Sequence, residues 1–179
     1  MDAVHQLSQA IIAGDIDTGI GAGVEDMFGV PMGGFNPSFH PDLYEKELYI
    51  GMGDTAEILA QDLDISRDDQ EAFAISSHEK ALAAIDAGRF DNEIIAVEIN
   101  GNTISRDEGP RTPNVEKIQS LDPAFDAEGT ITAATSSPIS VGAAAGVIMS
   151  GLKAKELDIT PKFKIRARAV AGVDWTRMG

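Results

Sequence analysis

Apolar residues recur at three- and four-residue intervals from the start of the chain. Val4, Leu7, Ile11 and Ile12 form one stripe, which predicts an amphipathic helix over residues 1–13 ended by Gly14. Ile20 to Val24 reads as a short buried strand, in which Gly21 and Gly23 let other backbone approach closely. From Phe28 to Pro41 the periodicity is lost among Gly and Pro residues, which predicts a loop. Loops of that length are uncommon in compact domains and are often functional.

Helical spacing returns with Ala56, Leu59, Ala60 and Leu63, predicting a helix over 55–64. Ser66, with Asp69 three residues later, forms a variant capping box that opens a long helix reaching about Ala87 and stopped by Gly88. Ala72, Phe73, Ser76, Ala83 and Ala84 fit the buried side of that helix. Glu93 to Ile99 alternates as a strand, and Asn100-Gly101 predicts a two-residue hairpin returning through Thr103 and Ile104. This helix-and-hairpin section reads as an insertion on a scaffold. Beyond it, Thr130–Ala133 predicts a short strand, and Thr135-Ser136-Ser137-Pro138 a turn. Ala143–Met149 is small and apolar throughout, as in a strand buried on both faces. Lys162 to Val173 alternates Phe163, Ile165, Ala167 and Ala169 with Lys162, Lys164, Arg166 and Arg168, as in a half-buried strand.

Composition narrows the class. The 179 residues are 43% hydrophobic and 24% charged, within the globular range, and no apolar run is long enough to span a membrane. The formal net charge is −15, unevenly spread. Residues 1–150 hold 26 of the 29 acids and 7 of the 14 bases, a net of −19, whereas 151–179 carry a net of +4. Like-charge repulsion disfavours nucleic acid or anionic membrane as a partner of the acidic bulk. The basic tail suits either a solvated Lys/Arg strand face or an anion site. Without a basic leader or cleavage pattern no secretory signal is visible, and the expected location is cytoplasmic. The chain has no cysteine, which excludes disulfides, thiolate metal sites and a thiol nucleophile within these residues.

Several chemical motifs fail on context. Gly51-Met-Gly53-Asp-Thr-Ala56 matches the dinucleotide fingerprint, yet the residues before it are charged and a second helix follows the first. His5, His40 and His78 are too dispersed for a zinc pattern, and His78 is expected on an exposed helix face. Asp62, Asp64 and Ser66 begin like a calcium loop, but Arg67 stands where glycine is required and Phe73 where the bidentate glutamate belongs. Read from its residues alone, the chain is an acidic α/β protein without a self-contained catalytic constellation.

The segments nevertheless resemble the thiolase family in collinear order over essentially the whole chain. Ala22-Gly-Val-Glu-Asp-Met27 resembles G-G-x-E-S-M, and Met52-Gly-Asp-Thr-Ala-Glu57 resembles M-G-x-T-A-E. Ile65-Ser-Arg-Asp-Asp-Gln-Glu-Ala-Phe-Ala74 with Ser77-His-Glu-Lys-Ala81 is similar to I-S-R-E-x-Q-D-x-F-A followed by S-H-x-K-A. Asp107-Glu108 with Arg111, Pro123-Ala-Phe125, Gly129-Thr-Ile-Thr-Ala133, Ser136-Ser137, Gly142-Ala-Ala-Ala145, Gly172-Val-Asp174 and Met178-Gly179 continue the likeness.

The resemblance implies an α/β fold that is part of the thiolase fold. Residues 1–27 would end the N-terminal core half, 28–134 form the inserted loop domain that covers CoA, and 135–179 return strands leading into the C-terminal half. It also implies the chemistry of an acyl-CoA C-acyltransferase, which moves acyl groups between 3-ketoacyl-CoA and CoA in fatty acid β-oxidation. A cysteine thiolate takes the acyl group, a histidine activates it, and a second cysteine moves the α-proton. The likeness places the nucleophile roughly four residues before Met1 and the other two groups beyond Gly179, so this chain alone is expected to be inactive. CoA enters as substrate, with no cofactor and no metal. The full-length protein is expected to be a homodimer or tetramer.

Substrate binding is what the resemblance carries onto this chain. Ser137 matches a serine that meets the pantetheine amide, although a turn serine bonding its own backbone has the same sequence appearance. Arg111 matches an arginine beside the CoA adenine and phosphates. Met52, Phe125, Ala133 and Ile139 match positions lining the pantetheine and acyl tunnel, and no catalytic residue is assigned. Thr135 stands where asparagine is usual and Val141 where aspartate is usual, which predicts lost turn bonds near Ser137. Trp175 replaces a common proline. Gly51 replaces the histidine of acetoacetyl-type members, favouring a broader 3-ketoacyl substrate. Two other readings stay open: a truncated non-catalytic module that binds acyl-CoA or pairs with a thiolase-like subunit, and a chain without a stable fold for want of partner strands.

Overall fold

The computed structural model describes residues 1–31 and 34–179; Met32 and Gly33, inside the predicted loop, lie outside the described residues. The chain forms two compact units. The first comprises Met1–Ser38 and Ile139–Gly172, and the second Phe39–Pro138 and Val173–Gly179.

In the first unit, α1 (Asp2–Ala13) ends as expected at Gly14, whose φ of 83° is the left-handed conformation that glycine adopts at least cost. Strand β1 (Thr18–Asp26) pairs antiparallel with β4 (Val141–Met149), with Thr18 opposite Met149 and Asp26 opposite Val141. Alternation then sorts the two faces of the ribbon. Gly19, Gly21, Ile148 and Gly146 share the face that meets α1, where a methyl group on Gly21 would come within 3.3 Å of Val4 and 3.2 Å of Ile148. Ile20, Val24 and Val147 share the other face and are 70, 79 and 62% exposed. The expectation that Ala143–Met149 is buried on both faces is therefore corrected: among the described residues β1 is its one strand partner, and α1 covers one side. A short helix, α6 (Gly151–Glu156), follows, capped by Ser150 Oγ accepting from the Lys153 amide at 3.0 Å. The predicted strand over Lys162–Val173 does not form. Its alternation is genuine, but a strand needs a second backbone to bond, and among the described residues none pairs with it.

In the second unit, α2 (Pro41–Tyr44) is a single turn. It is followed by α3 (Met52–Asp62) and α4 (Arg67–Asp86). The capping residue of α4 is as read: Ser66 Oγ accepts from the Asp69 amide at 3.1 Å. The reciprocal bond differs, because the Asp69 carboxylate accepts from the Ser66 hydroxyl at 2.6 Å. Aspartate is one methylene short of the usual glutamate. Gly88 follows α4 with a φ of 65°. The predicted buried side of α4 is only partly observed: Ser76 and Ala84 are half-buried, Ala72, Phe73 and Ala83 are exposed, and Glu71 is buried.

The hairpin forms as expected, with β2 (Val97–Ile99) and β3 (Asn102–Ile104) joined by Asn100 and Gly101 at φ 51° and 80°. Both angles are positive, as a type I′ turn requires. The strand is shorter than the predicted 93–99 because β3 has only three residues to pair with it. Thr130–Ala133 is not a strand but a single bridge between Thr132 and Pro123. Helix α5 (Val115–Gln119) is capped by Asn114. The chain ends in a 3-10 turn, Trp175–Arg177, against α3, where Arg177 Nε meets Asp62 Oδ2 at 2.6 Å. The Asp62 carboxylate raises the Arg177 guanidinium pKa, and the Thr176 hydroxyl and amide hold the Asp174 carboxyl below its ordinary value.

Candidate functional site

An open groove of about 650 Å³ lies in the second unit. One side is helical: Ala60 comes from α3, and Asp69, Gln70, Phe73, Ala74, Ser77 and His78 come from α4. The other side is the irregular segment Ile131 with Ala134–Pro138. Mostly apolar walls with a few hydroxyls, an imidazole, an amide and the Asp69 carboxylate suit a ligand that is largely hydrocarbon with spaced polar groups.

Glu57 fixes the irregular wall. It is 4% exposed, and its carboxylate accepts from the Thr130 amide at 2.9 and 3.0 Å and from the Ile131 amide at 2.8 Å. The Thr130 hydroxyl donates to Glu57 at 3.3 Å and accepts from Gln70 Nε2 at 3.0 Å, joining α3, the wall and α4. Hydroxyls then shape the turn. Thr135 Oγ1 accepts from the Thr132 amide at 2.9 Å and donates to the Thr132 carbonyl at 3.3 Å, and the Ser136 hydroxyl donates to that carbonyl at 2.8 Å. The expected loss of turn bonds at Thr135 is therefore corrected: its hydroxyl both donates and accepts. With Ser136 turned onto backbone, the hydroxyl of Ser137 is left exposed, and among the described residues it makes no hydrogen bond.

Arg111 is also exposed, but its backbone amide donates to His78 Nδ1 at 3.3 Å. His78 is half-buried and lines the groove, contrary to the exposed helix face expected of it. Ser137 thus lines the groove, whereas Arg111 lies outside its lining and only its backbone amide meets a lining residue, His78. The other three candidates of this unit also lie outside the groove lining. Met52 opens α3, 61% exposed, and the Phe125 ring lies so close to Gly53 that a methyl group there would run into it. Ala133 is exposed in the wall segment. Ile139 belongs to the first unit. Among the described residues no three His, Asp or Glu side chains gather to hold a metal ion, and no helix is long and apolar enough to cross a membrane.

Sequence reading assigned no role to Glu57, Gln70 or Arg67. Arg67 pairs with Glu71 at 2.7 Å and donates to the Leu121 carbonyl at 2.6 Å. For Glu57 a signal was present: it sits three residues before buried Ala60, on the side of α3 that packs inward, where a carboxylate needs partners.

Comparison with known proteins places this geometry. The family model for the thiolase N-terminal domain matches residues 1–151. The 3-ketoacyl-CoA thiolase of Colwellia psychrerythraea is 43% identical over 189 aligned residues, covering 100% of this chain and 48% of that protein. The dimeric peroxisomal thiolase of Saccharomyces cerevisiae superposes with a TM-score of 0.78 at 35% identity, covering 88% of this chain and 42% of the yeast one. The human mitochondrial 3-ketoacyl-CoA thiolase in complex with CoA gives 0.75 at 28% identity, covering 89% and 44%. The chain spans about half the length of the curated relatives it matches, and its mixture of helix and strand is a partial thiolase fold. With a family match over most of its length and a 43% identical relative aligned along the whole of it, the chain belongs to the thiolase family.

Proposed function

We propose that the groove between α4 and residues 131–138 binds the pantetheine arm of CoA. The parent protein is then a degradative 3-ketoacyl-CoA thiolase. The supporting observation is Ser137: its neighbour Ser136 is occupied by a backbone carbonyl, whereas the Ser137 hydroxyl makes no hydrogen bond among the described residues and Ser137 lines an apolar groove. A pantetheine arm is an aliphatic chain interrupted by amides, and one hydroxyl at an apolar slot both orients it and satisfies an amide. Arg111, whose exposed guanidinium is planar and always charged, takes the phosphates or stacks on the adenine. The complex of the human relative with CoA supports this ligand.

None of the 179 residues is cysteine, so acyl transfer of this kind draws its thiol from outside them. In the reaction proposed, a thiolate attacks the 3-keto carbonyl. The C2–C3 bond breaks to release acetyl-CoA, whose α-carbon gains a proton, and the acyl group passes from the enzyme sulfur to the thiol of a second CoA. Alone, the chain binds without turning over. Met52, Phe125, Ala133 and Ile139 line the pantetheine and acyl path in the full protein, residues 28–134 form its CoA-covering loop domain, and Gly51 leaves room for longer 3-ketoacyl groups. The parent assembles as a homodimer or tetramer, in line with the yeast relative described as dimeric.

Calorimetry with CoA and with pantetheine tests the assignment. Ser137→Ala is expected to weaken both ligands about fivefold to tenfold, the size of one lost hydrogen bond, without changing the fold. Unchanged affinity for both would remove Ser137 from the site.

A further inference from the structure

Helix α4 holds the segment that follows the hairpin at three points. Asp86 pairs with Arg106 at 3.3 Å, His78 Nδ1 accepts from the Arg111 amide at 3.3 Å, and Arg67 donates to the Gln119 and Leu121 carbonyls at 3.4 and 2.6 Å. The anchors run antiparallel to the helix and are spaced about 12 and 16 Å apart along it, from the helical rise. The outer two are ion-pair or guanidinium contacts near the ends of the segment. The central one is a single imidazole nitrogen that also belongs to a residue lining the groove. Residues 105–114 have no regular structure, and α5 starts only at Val115, so no helix or strand ladder contains Arg111.

We infer that His78 is a positioning residue: by accepting the Arg111 amide at Nδ1 it sets the guanidinium of Arg111 at the phosphate end of the groove. This rests on the CoA assignment above. Because Nδ1 accepts, the neutral ring carries its hydrogen on Nε2. The function therefore needs an acceptor at the Nδ1 place. Asparagine puts its oxygen near that place, whereas glutamine reaches the Nε2 place instead.

The test is calorimetric titration of CoA and of pantetheine, which lacks the phosphates, into the 179-residue chain and its variants. His78→Ala and His78→Gln are expected to weaken CoA about tenfold, one charge-assisted contact's worth, and to weaken pantetheine, whose groove His78 also lines, by no more than about twofold. His78→Asn should stay within about twofold of the parent chain, and His78→Ala should add little in an Arg111→Ala background, since coupled residues are not additive. A general structural role would weaken both ligands together, and Asn would not rescue it. Should His78→Ala fail to fold, the contrast between Asn and Gln decides. Equal CoA affinity for the parent chain, His78→Ala and His78→Gln would overturn the inference while leaving the CoA assignment intact. Absence of CoA binding by the folded parent chain would overturn both.

Discussion

Glu57 shows how much one side chain can organise when it is buried with its partners. Four donations from Thr130 and Ile131 converge on a carboxylate that is 4% exposed, so the groove wall is set from inside α3. Replacing it by glutamine keeps the shape but exchanges one acceptor oxygen for an N–H₂ facing amide donors. Glu57→Gln is expected to cost about 2 kcal/mol, the penalty for buried polar groups left unpaired, and chemical denaturation would measure it. A cost below about 0.5 kcal/mol, typical of a surface substitution, would contradict this account of the wall. Residues acting locally were legible in the sequence. Ser66 caps α4 and Gly14 ends α1, because each acts on backbone within a few positions. Glu57 was missed as a site residue because its partners lie 73 and 74 residues along the chain. Ser137 was named through resemblance, and only the structure separates it from Ser136, which bonds its own backbone.

Elements were legible where their periodicity is satisfied inside the chain. α1, α3, α4 and the 97–104 hairpin appear close to where their spacing puts them. The alternating residues 162–173 and the apolar run 143–149 encode surroundings that two strands and one helix do not provide. Among the described residues the first remains unpaired, and the second leaves one face bare. The terminal turn against α3 was not foreseen, since Asp174, Thr176 and Arg177 carry no periodic signal. Its clamp has a defined pH response. The Thr176 hydroxyl and amide lower the folded Asp174 pKa, so the carboxylate's contribution is complete above the ordinary aspartate value and is lost as pH falls through the lower folded value. Emission from Trp175, the one tryptophan of the chain, should be constant from neutral pH to about 5 and change only below about 4. A change centred near pH 6 would assign the response to another group.

At the scale of the molecule, a chain of about half a thiolase's length holds one unit built on a β-ribbon and one built on helices, and the second carries the groove. Family and fold class could be read from ordered motifs because those motifs are the capping, turn and packing residues just described, whereas of the six residues named for substrate binding only Ser137 lines the groove. The division into units could not, since contact between residues 1–38 and 139–172 depends on pairing across a hundred intervening positions. The central claim is that this groove takes CoA. Titration of CoA into the isotopically labelled chain, followed by amide resonances, reads folding and binding together. The expected result is a dispersed spectrum in which Ser77, His78, Arg111, Thr135, Ser136 and Ser137 shift on a common saturation curve. A dispersed spectrum in which those amides do not respond to millimolar CoA would contradict it.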